Sequence, residues 1–174
     1  GNLINLTFNI GESEKFYVEK INIFGNNVTR EDVIRNNLLV DEGDAFNEIL
    51  YTKTLNNLKS LNFFSNVESE TLNIENKKVI NITVEEKPTG EIMAGAGVGT
   101  GGGTFAFGVS ENNFLGRGIA FKSDVSVGKE SLKGLISLNN PNFKGSSRSL
   151  NASLESSVTD RLKNFGYKSN KTGF

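Results

Sequence analysis

Hydrophobic residues occur at every second position through most of the second half of the chain. Ile92, Ala94, Ala96 and Val98 share one face of a predicted strand, with mostly glycine between them. Successive side chains of a β-strand point to opposite faces, so this alternation predicts strands with one apolar side. The pattern continues at Phe105, Phe107 and Val109, at Ile119, Phe121, Val125 and Val127, at Leu132, Ile136 and Leu138, and at Leu150, Ala152 and Leu154.

Short polar or glycine-rich segments separate these stretches and predict hairpin turns. They lie at residues 99–103, 111–118, 128–130, 140–143 and 160–165, and a sixth strand follows up to Phe174. Strands of roughly nine to eleven residues can cross a bilayer when they are tilted in a barrel. The sequence therefore predicts antiparallel transmembrane β-barrel strands that form a fragment of a larger barrel.

Charged residues fall on or near the opposite side of these strands. They are Lys122, Asp124, Lys133, Glu155 and Lys163. In a barrel, such residues either form a selectivity filter or simply face the water of the lumen. The water-facing interpretation is the simpler one.

Residues 14–88 mix the strand period with the helix period. Residues 16–24 alternate like a strand, with a slip near Lys20. Thr29 and Asp32 then resemble the N-terminal capping box of a first helix, which carries hydrophobic residues on one face.

A second helix is predicted over residues 47–61, because leucine or threonine recurs there at helical spacing. Phe63 and Phe64 then begin a strand, and residues 79–85 form its hairpin partner. Residues 14–88 are therefore predicted to be an α+β domain with the order β-α-α-β-β.

Residues 3–8 alternate in the same way as residues 79–84. We interpret residues 1–13 as the last strand of a preceding copy of this domain. A chance match between two strand-like hexamers is the alternative.

Composition excludes several classes of function. Of the 174 residues, 36% are hydrophobic, and no apolar run approaches the length of a membrane helix. The net charge of −1 gives no field that would attract nucleic acid. The absence of Cys and His removes thiolate and imidazole chemistry and most metal ligation, so no metal, cofactor or catalytic residue is predicted.

Gly97, Gly99 and Gly102 satisfy the G-x-G-x-x-G spacing of dinucleotide sites. That site requires a helix directly after the glycines, because the helix N-terminus holds the pyrophosphate. Here an alternating strand follows, so a hairpin turn is the better interpretation.

Several motifs together resemble one family, the BamA outer-membrane protein assembly factors of Gram-negative bacteria. The resemblance covers nearly the whole chain, and it indicates the last POTRA domain and the start of the barrel. It is carried by Phe16-Tyr17-Val18-Glu19-Lys20-Ile21, Gly25-Asn26, Val33-Ile34-Arg35, Glu42-Gly43, Leu61-Asn62-Phe63-Phe64-Ser65-Asn66-Val67, the glycine-rich strand ending at Thr100, Asn112-Asn113-Phe114-Leu115-Gly116-Arg117-Gly118 and Asn140-Pro141-Asn142-Phe143.

The resemblance implies a POTRA domain at 14–88 and N-terminal strands of an outer-membrane barrel at 89–174. It implies that the first barrel strand opens a lateral gate, where unfolded outer-membrane β-barrel proteins pair with it. The expected pairing residues are Ile92, Ala94, Gly95, Ala96, Gly97, Val98 and Gly99. The glycines suit this role because they leave the backbone of an edge strand accessible.

The resemblance also implies docking of a BamD-like lipoprotein at Glu42, with Arg35 as a neighbouring basic position. Outer-membrane lipid is the other expected partner, and the POTRA portion is expected in the periplasm. A polypeptide secretion transporter of the two-partner or TamA-like type is the alternative within the superfamily. A passive porin is disfavoured because it would have no domain like residues 14–88.

Overall fold

The structure is a computed structural model that describes residues 14–99, 102–146 and 148–174. The strand predicted within residues 1–13 lies outside the described residues. Two sheets form the described part, one of three strands and one of six. No helix in these ranges is long and apolar enough to cross a membrane.

The first sheet has the predicted β-α-α-β-β order. Its elements are β1 (Tyr17–Phe24), α1 (Glu31–Arg35), α2 (Glu48–Ser60), β2 (Phe64–Ile74) and β3 (Lys77–Glu86). β3 lies in the centre, parallel to β1 and antiparallel to β2. The slip predicted near Lys20 is a register shift between Val18 and Lys20.

The core of this domain lies between the two helices and one face of the sheet. Val18, Ile21, Ile34, Leu58 and Ile80 are each 0–1% exposed. Hydrophobic burial at about 25 cal/mol per Å² is the main stabilising contribution in such a core. The remaining buried hydrophobic residues are Val33, Val40, Phe63, Phe64, Val67, Ile82 and Val84.

The predicted capping box of α1 is wrong. Arg30 is the residue before the helix, and it makes no side-chain cap; Thr29 is 2% exposed and its hydroxyl bonds elsewhere. By contrast, α2 has a capped start, since the Asn47 side chain accepts hydrogen bonds from the backbone N–H groups of Ile49 and Leu50.

The second sheet is an antiparallel meander in which each strand pairs with the next along the chain. Its strands are β4 (Gly90–Gly99), β5 (Gly102–Glu111), β6 (Ala120–Gly128), β7 (Ser131–Asn140), β8 (Leu150–Arg161) and β9 (Tyr167–Gly173). A short helix, α3 (Leu162–Phe165), connects the last two. The strand after Gly102 confirms that the G-x-G-x-x-G spacing is not followed by a helix.

The register separates the faces of this sheet as the alternation predicts. On one face, Ala94 lies opposite Phe107, and Phe107 lies opposite Val125. On the other face, Lys122 and Asp124 form an ion pair of 3.1 Å. The apolar face is exposed, with Phe107 53% and Ile136 48% exposed.

Candidate functional site

β4 forms one edge of the six-stranded sheet. It pairs with β5 over its whole length, from Gly90 opposite Glu111 to Gly99 opposite Gly102. All ten residues of β4 are exposed, including every predicted gate residue from Ile92 to Gly99. An edge strand presents unpaired N–H and C=O groups, so this edge has the backbone chemistry needed to add another strand.

The second half of β4 carries few side chains because it is rich in glycine. A side chain built at Gly95, Gly97 or Gly99 would meet no atom within 4 Å. Close packing therefore does not require glycine at these positions. Their effect is to keep side chains away from the strand backbone, which eases the approach of a partner strand.

The start of β4, in contrast, is tied to the neighbouring strand. The Glu111 carboxylate accepts a hydrogen bond from the Thr89 hydroxyl and another, of 2.8 Å, from the backbone N–H of Asn113. The backbone N–H of Asn112 also donates to the carbonyl of Thr89, at 3.5 Å. β4 is thus fixed at the end near the β-α-α-β-β domain, while its glycine-rich end has no comparable side-chain contact among the described residues.

Arg35 and Glu42, the predicted docking pair, lie together beside β1. A nitrogen of Arg35 is 3.6 Å from a carboxylate oxygen of Glu42, and Arg35 also pairs with Glu31 at 2.7 Å. Glu42 accepts a hydrogen bond of 3.0 Å from the backbone N–H of Ile21, and Arg35 donates one of 3.0 Å to the carbonyl of Ile21. The pair therefore satisfies backbone groups on the outer edge of β1.

The loop that carries Glu42 extends this cover along the same edge. The Gly43 N–H donates to the carbonyl of Val18 at 2.7 Å, and the Val18 N–H donates to the carbonyl of Asp44 at 2.8 Å. Covering an edge strand prevents unwanted pairing with other strands. The side chains of Arg35 and Glu42 nevertheless remain 40% and 45% exposed, so both are accessible from solvent.

A third polar cluster joins the β-α-α-β-β domain to the turn between β5 and β6, which spans residues 112–119. The Asn113 amide donates to the Thr29 hydroxyl at 2.8 Å, in a bond that is buried and links residues 84 positions apart. The same amide accepts from the backbone N–H of Gly118 at 2.8 Å. The Arg30 N–H donates to the carbonyl of Gly116 at 2.9 Å. We call this cluster the junction.

Two glycines allow the backbones to meet at the junction. Gly116 has φ +68°, and a Cβ there would lie 2.0 Å from the carbonyl oxygen of Val28. Gly118 has φ +62°, and its Cβ would lie 2.9 Å from a methyl group of Val33. Both positions lie in the left-handed region that favours glycine; a Cβ at Gly116 would collide with backbone, and a Cβ at Gly118 would require Val33 to move.

Glu86, at the end of β3, organises the loop on the other side of the junction. Its carboxylate accepts hydrogen bonds from the backbone N–H groups of Asn27, Val28 and Thr29 at 2.9, 2.8 and 2.6 Å. Partial burial acts to raise the pKa of Glu86, but the bonds from the Thr29 side chain and these backbone N–H groups outweigh it and lower the pKa. Glu86 is therefore held as a carboxylate.

The junction is the part of the structure that sequence reasoning missed. Thr29 reads as a helix cap, and Asn113 as a turn residue, because both are common in those roles. A glycine at each of positions 116 and 118 was a usable signal, since two glycines in one turn indicate a close backbone approach.

Comparison with known proteins shows which proteins this chain resembles. A family profile described as "POTRA: Surface antigen variable number repeat" matches residues 16–87. Several curated relatives named outer membrane protein assembly factor BamA are 27% to 34% identical to this chain. The one from Neorickettsia risticii (strain Illinois) is 32% identical over 115 residues, which cover 65% of this chain and 16% of the relative. Most of this chain is therefore similar to BamA, and residues 16–87 match the POTRA profile.

Solved structures show the same similarity. BamA from Haemophilus ducreyi lacking POTRA domains 1–3 superposes with a TM-score of 0.79 at 25% identity, over 90% of this chain and 31% of that one. CdiB from Acinetobacter baumannii has a TM-score of 0.58 at 15% identity, over 91% of this chain and 33% of that one, which shows a common fold alone. The predicted fold class, a POTRA domain followed by antiparallel barrel-type strands, is confirmed.

The relatives are named as outer membrane protein assembly factors, which supports the prediction of a non-enzymatic, outer-membrane protein. The chain spans only 16% to 20% of the length of the first curated relatives that it matches. The activity, substrates and partners of the whole protein are therefore matters for proposal.

Proposed function

We propose that this chain is the gate-forming part of an outer-membrane assembly factor that folds and inserts β-barrel proteins. Unfolded outer-membrane β-barrel proteins pair with β4, and the POTRA domain receives them on the periplasmic side. The observation that carries the proposal is the edge position of β4, whose ten residues are all exposed in the described part of the chain. Backbone hydrogen bonds supply the affinity in such strand addition, which suits a factor with clients of many sequences.

Disulfide crosslinking in the full-length protein tests this pairing. With all other cysteines removed, Ala96→Cys is combined with a single Cys at successive positions of the last strand of an arriving client. We expect a crosslink at one register and weak or no crosslinks one residue away, because neighbouring residues of a strand point to opposite faces.

Ala106→Cys is the matched control. It makes the same substitution on β5, where Ala106 lies between Gly95 of β4 and Ser126 of β6 and has no free edge beside it. Equal crosslinking from both positions, or none from Ala96 while assembly remains active, would contradict pairing at β4.

We further propose that Glu42 and Arg35 dock a BamD-like lipoprotein. The support is their accessibility, their closeness and the fixed positions that the contacts with Ile21 give them. A pre-positioned charged pair loses little conformational entropy on binding, which favours its use as a docking point.

Two substitutions separate docking from the structural role of Glu42. Glu42→Lys should greatly reduce co-purification of the lipoprotein, because it reverses the charge. Glu42→Gln retains an oxygen that can accept the Ile21 N–H, so it should weaken co-purification while leaving the fold intact. Glu70→Lys, which makes the same charge change on the exposed surface of β2, is the control. Full co-purification with Glu42→Lys would rule out the docking role.

The transporter function remains the second candidate. The fold that this chain shares with CdiB is compatible with it. In that case β4 stays paired within its own barrel, and the Ala96→Cys variant forms no crosslink with a client even though the protein is active.

A further inference from the structure

Two turns at the same end of the six-stranded sheet have the same backbone conformation. In the turn between β5 and β6, Leu115 and Gly116 have φ of 56° and 68°; in the turn between β7 and β8, Lys144 and Gly145 also have φ of 56° and 68°. The first turn carries the junction with the POTRA domain. The second makes no backbone hydrogen bond to that domain among the described residues.

A cleft of about 530 Å³ with a mixed polar and apolar lining opens between the second turn, the first turn and helix α1. Its charged lining consists of Arg30, Asp32, Arg117 and Lys144. Arg30 and Asp32 form an ion pair of 3.1 Å and cancel each other. Within the described chain, Arg117 has no side-chain hydrogen bond or ion pair, and the ammonium of Lys144 lies 5.5 Å from the Phe143 ring with no acidic partner. The cleft therefore carries two uncompensated positive charges.

An apolar groove of about 310 Å³ adjoins this cleft on the apolar face of the sheet. Arg117, Ile119 and Asn140 line both spaces. Leu115, which is 71% exposed, and Leu150, which is 47% exposed, lie along the groove. The groove offers exposed apolar side chains, and the adjoining cleft offers two cations. Together they suit a molecule that is both anionic and hydrophobic.

We propose that the cleft and groove together bind an anionic phospholipid. Its phosphate lies between Arg117 and Lys144, and an acyl chain lies along the groove. This inference rests on the proposed placement of the sheet in the outer membrane, because the strand ends next to the POTRA domain then lie at the periplasmic leaflet. Cations at that level attract anionic head groups, and the adjoining apolar face meets the acyl chains.

The chemistry of the lining favours a lipid over a soluble phosphate compound. A soluble ligand would occupy only the cleft and make no contact with Leu115 and the apolar groove, whereas one lipid molecule occupies both spaces. Arg117 lines both spaces, so its guanidinium is suited to hold a phosphate at the point where the polar and apolar parts of one lipid meet.

Native mass spectrometry of the full-length protein in detergent tests the proposal, with dioleoyl phosphatidylglycerol as the probe. The double variant Arg117→Gln, Lys144→Gln should bind the lipid about tenfold more weakly or worse, because charge-assisted hydrogen bonds are lost. The control is Lys129→Gln, Lys163→Gln, which removes the same charge at the opposite end of the sheet and should leave binding unchanged. Unchanged binding in the first variant, or equal weakening in both, overturns the site.

Leu115→Asn tests the groove separately. Asn adopts positive φ more readily than Leu, so the turn conformation should be retained. We expect Leu115→Asn to bind the lipid several-fold more weakly than the unsubstituted protein. In the unsubstituted protein, inorganic phosphate at equal concentration should not displace the lipid. Full lipid binding by this variant, or ready displacement by phosphate, overturns the lipid in favour of a simple anion site. Lipid binding is measured in the absence of a client protein. A negative result for the lipid site can therefore be distinguished from a negative result for strand pairing at β4.

Discussion

Glu86 is a single carboxylate that holds the loop before α1. Three backbone N–H groups in the loop before the helix point at it, and together with the Thr29 side chain they lower its pKa. A group whose pKa is lower in the folded than in the unfolded state stabilises the folded state above its unfolded pKa. That contribution is lost as the pH falls through the folded pKa.

The loop at residues 25–30 should therefore loosen in acid. We expect hydrogen exchange at Asn27, Val28 and Thr29 to be well protected at neutral pH and to lose protection below the ordinary glutamate pKa of 4.5. In Glu86→Gln the protection of these three N–H groups should be weaker at neutral pH, and it should not fall further as the pH is lowered. Each comparison is made between the two proteins at one pH, which cancels the intrinsic pH dependence of exchange. A parallel pH dependence in both proteins would contradict this role of Glu86.

At the scale of an element, the two similar turns provide a matched experiment. Gly116 and Gly145 share φ +68°, so alanine at either position carries the same left-handed strain, roughly 1–2 kcal/mol. Only at Gly116 would the new Cβ also collide with the carbonyl of Val28; at Gly145 the nearest atom is 3.8 Å away. We expect tryptic cleavage after Arg30 to accelerate at least several-fold in Gly116→Ala relative to Gly145→Ala. Equal rates would mean that the first turn is not packed against the POTRA domain in solution.

The faces of the strands supply a second test at this scale. Phe107 lies on the apolar face of β5, and its neighbour Ala106 lies on the polar face. In a bilayer, arginine at a lipid-facing position near the midplane costs about 2–4 kcal/mol, whereas a lumen-facing position tolerates it. Phe107→Arg should thus reduce the membrane-inserted fraction, measured by heat-dependent gel mobility, much more than Ala106→Arg does. A larger loss of insertion in Ala106→Arg than in Phe107→Arg would mean that the face carrying Ala106 is the one in contact with lipid.

Sequence patterns predicted those features that repeat along one element. The alternation at residues 92–98 and the slip near Lys20 can both be predicted from the sequence, because the periodicity of side chains along a strand is a local property. The role of Thr29 was not readable, since its hydroxyl bonds to Asn113 of the second sheet. Arg35 and Glu42 were named as a docking pair by resemblance, and their contacts with the edge of β1 depend on the folded path of the loop.

On the scale of the whole molecule, the junction and the edge of β4 are connected through Glu111. This residue ends β5, and its carboxylate binds Thr89, the residue just before β4, as well as the N–H of Asn113 at the junction. The POTRA domain, the first turn and the start of β4 therefore form one hydrogen-bonded unit. The glycine-rich end of β4 lies at the far end of the strand, away from this unit.

This arrangement predicts that β4 opens from its glycine-rich end while its start remains fixed. In the full-length protein, hydrogen exchange should be slow at residues 90–93 and faster at residues 96–99. Glu111→Ala removes the tie to Thr89 and should raise exchange at residues 90–93 toward the rate of the other end. Glu155→Ala, which removes an exposed carboxylate from β8, is the control and should not change the exchange rate at residues 90–93 or at residues 96–99. A gradient that survives Glu111→Ala would mean that backbone pairing with β5 alone fixes the strand. A lost gradient would show that Glu111 determines which end of the edge is offered to a client, because its carboxylate ties the start of β4 to Asn113, which in turn bonds to Thr29 of the POTRA domain.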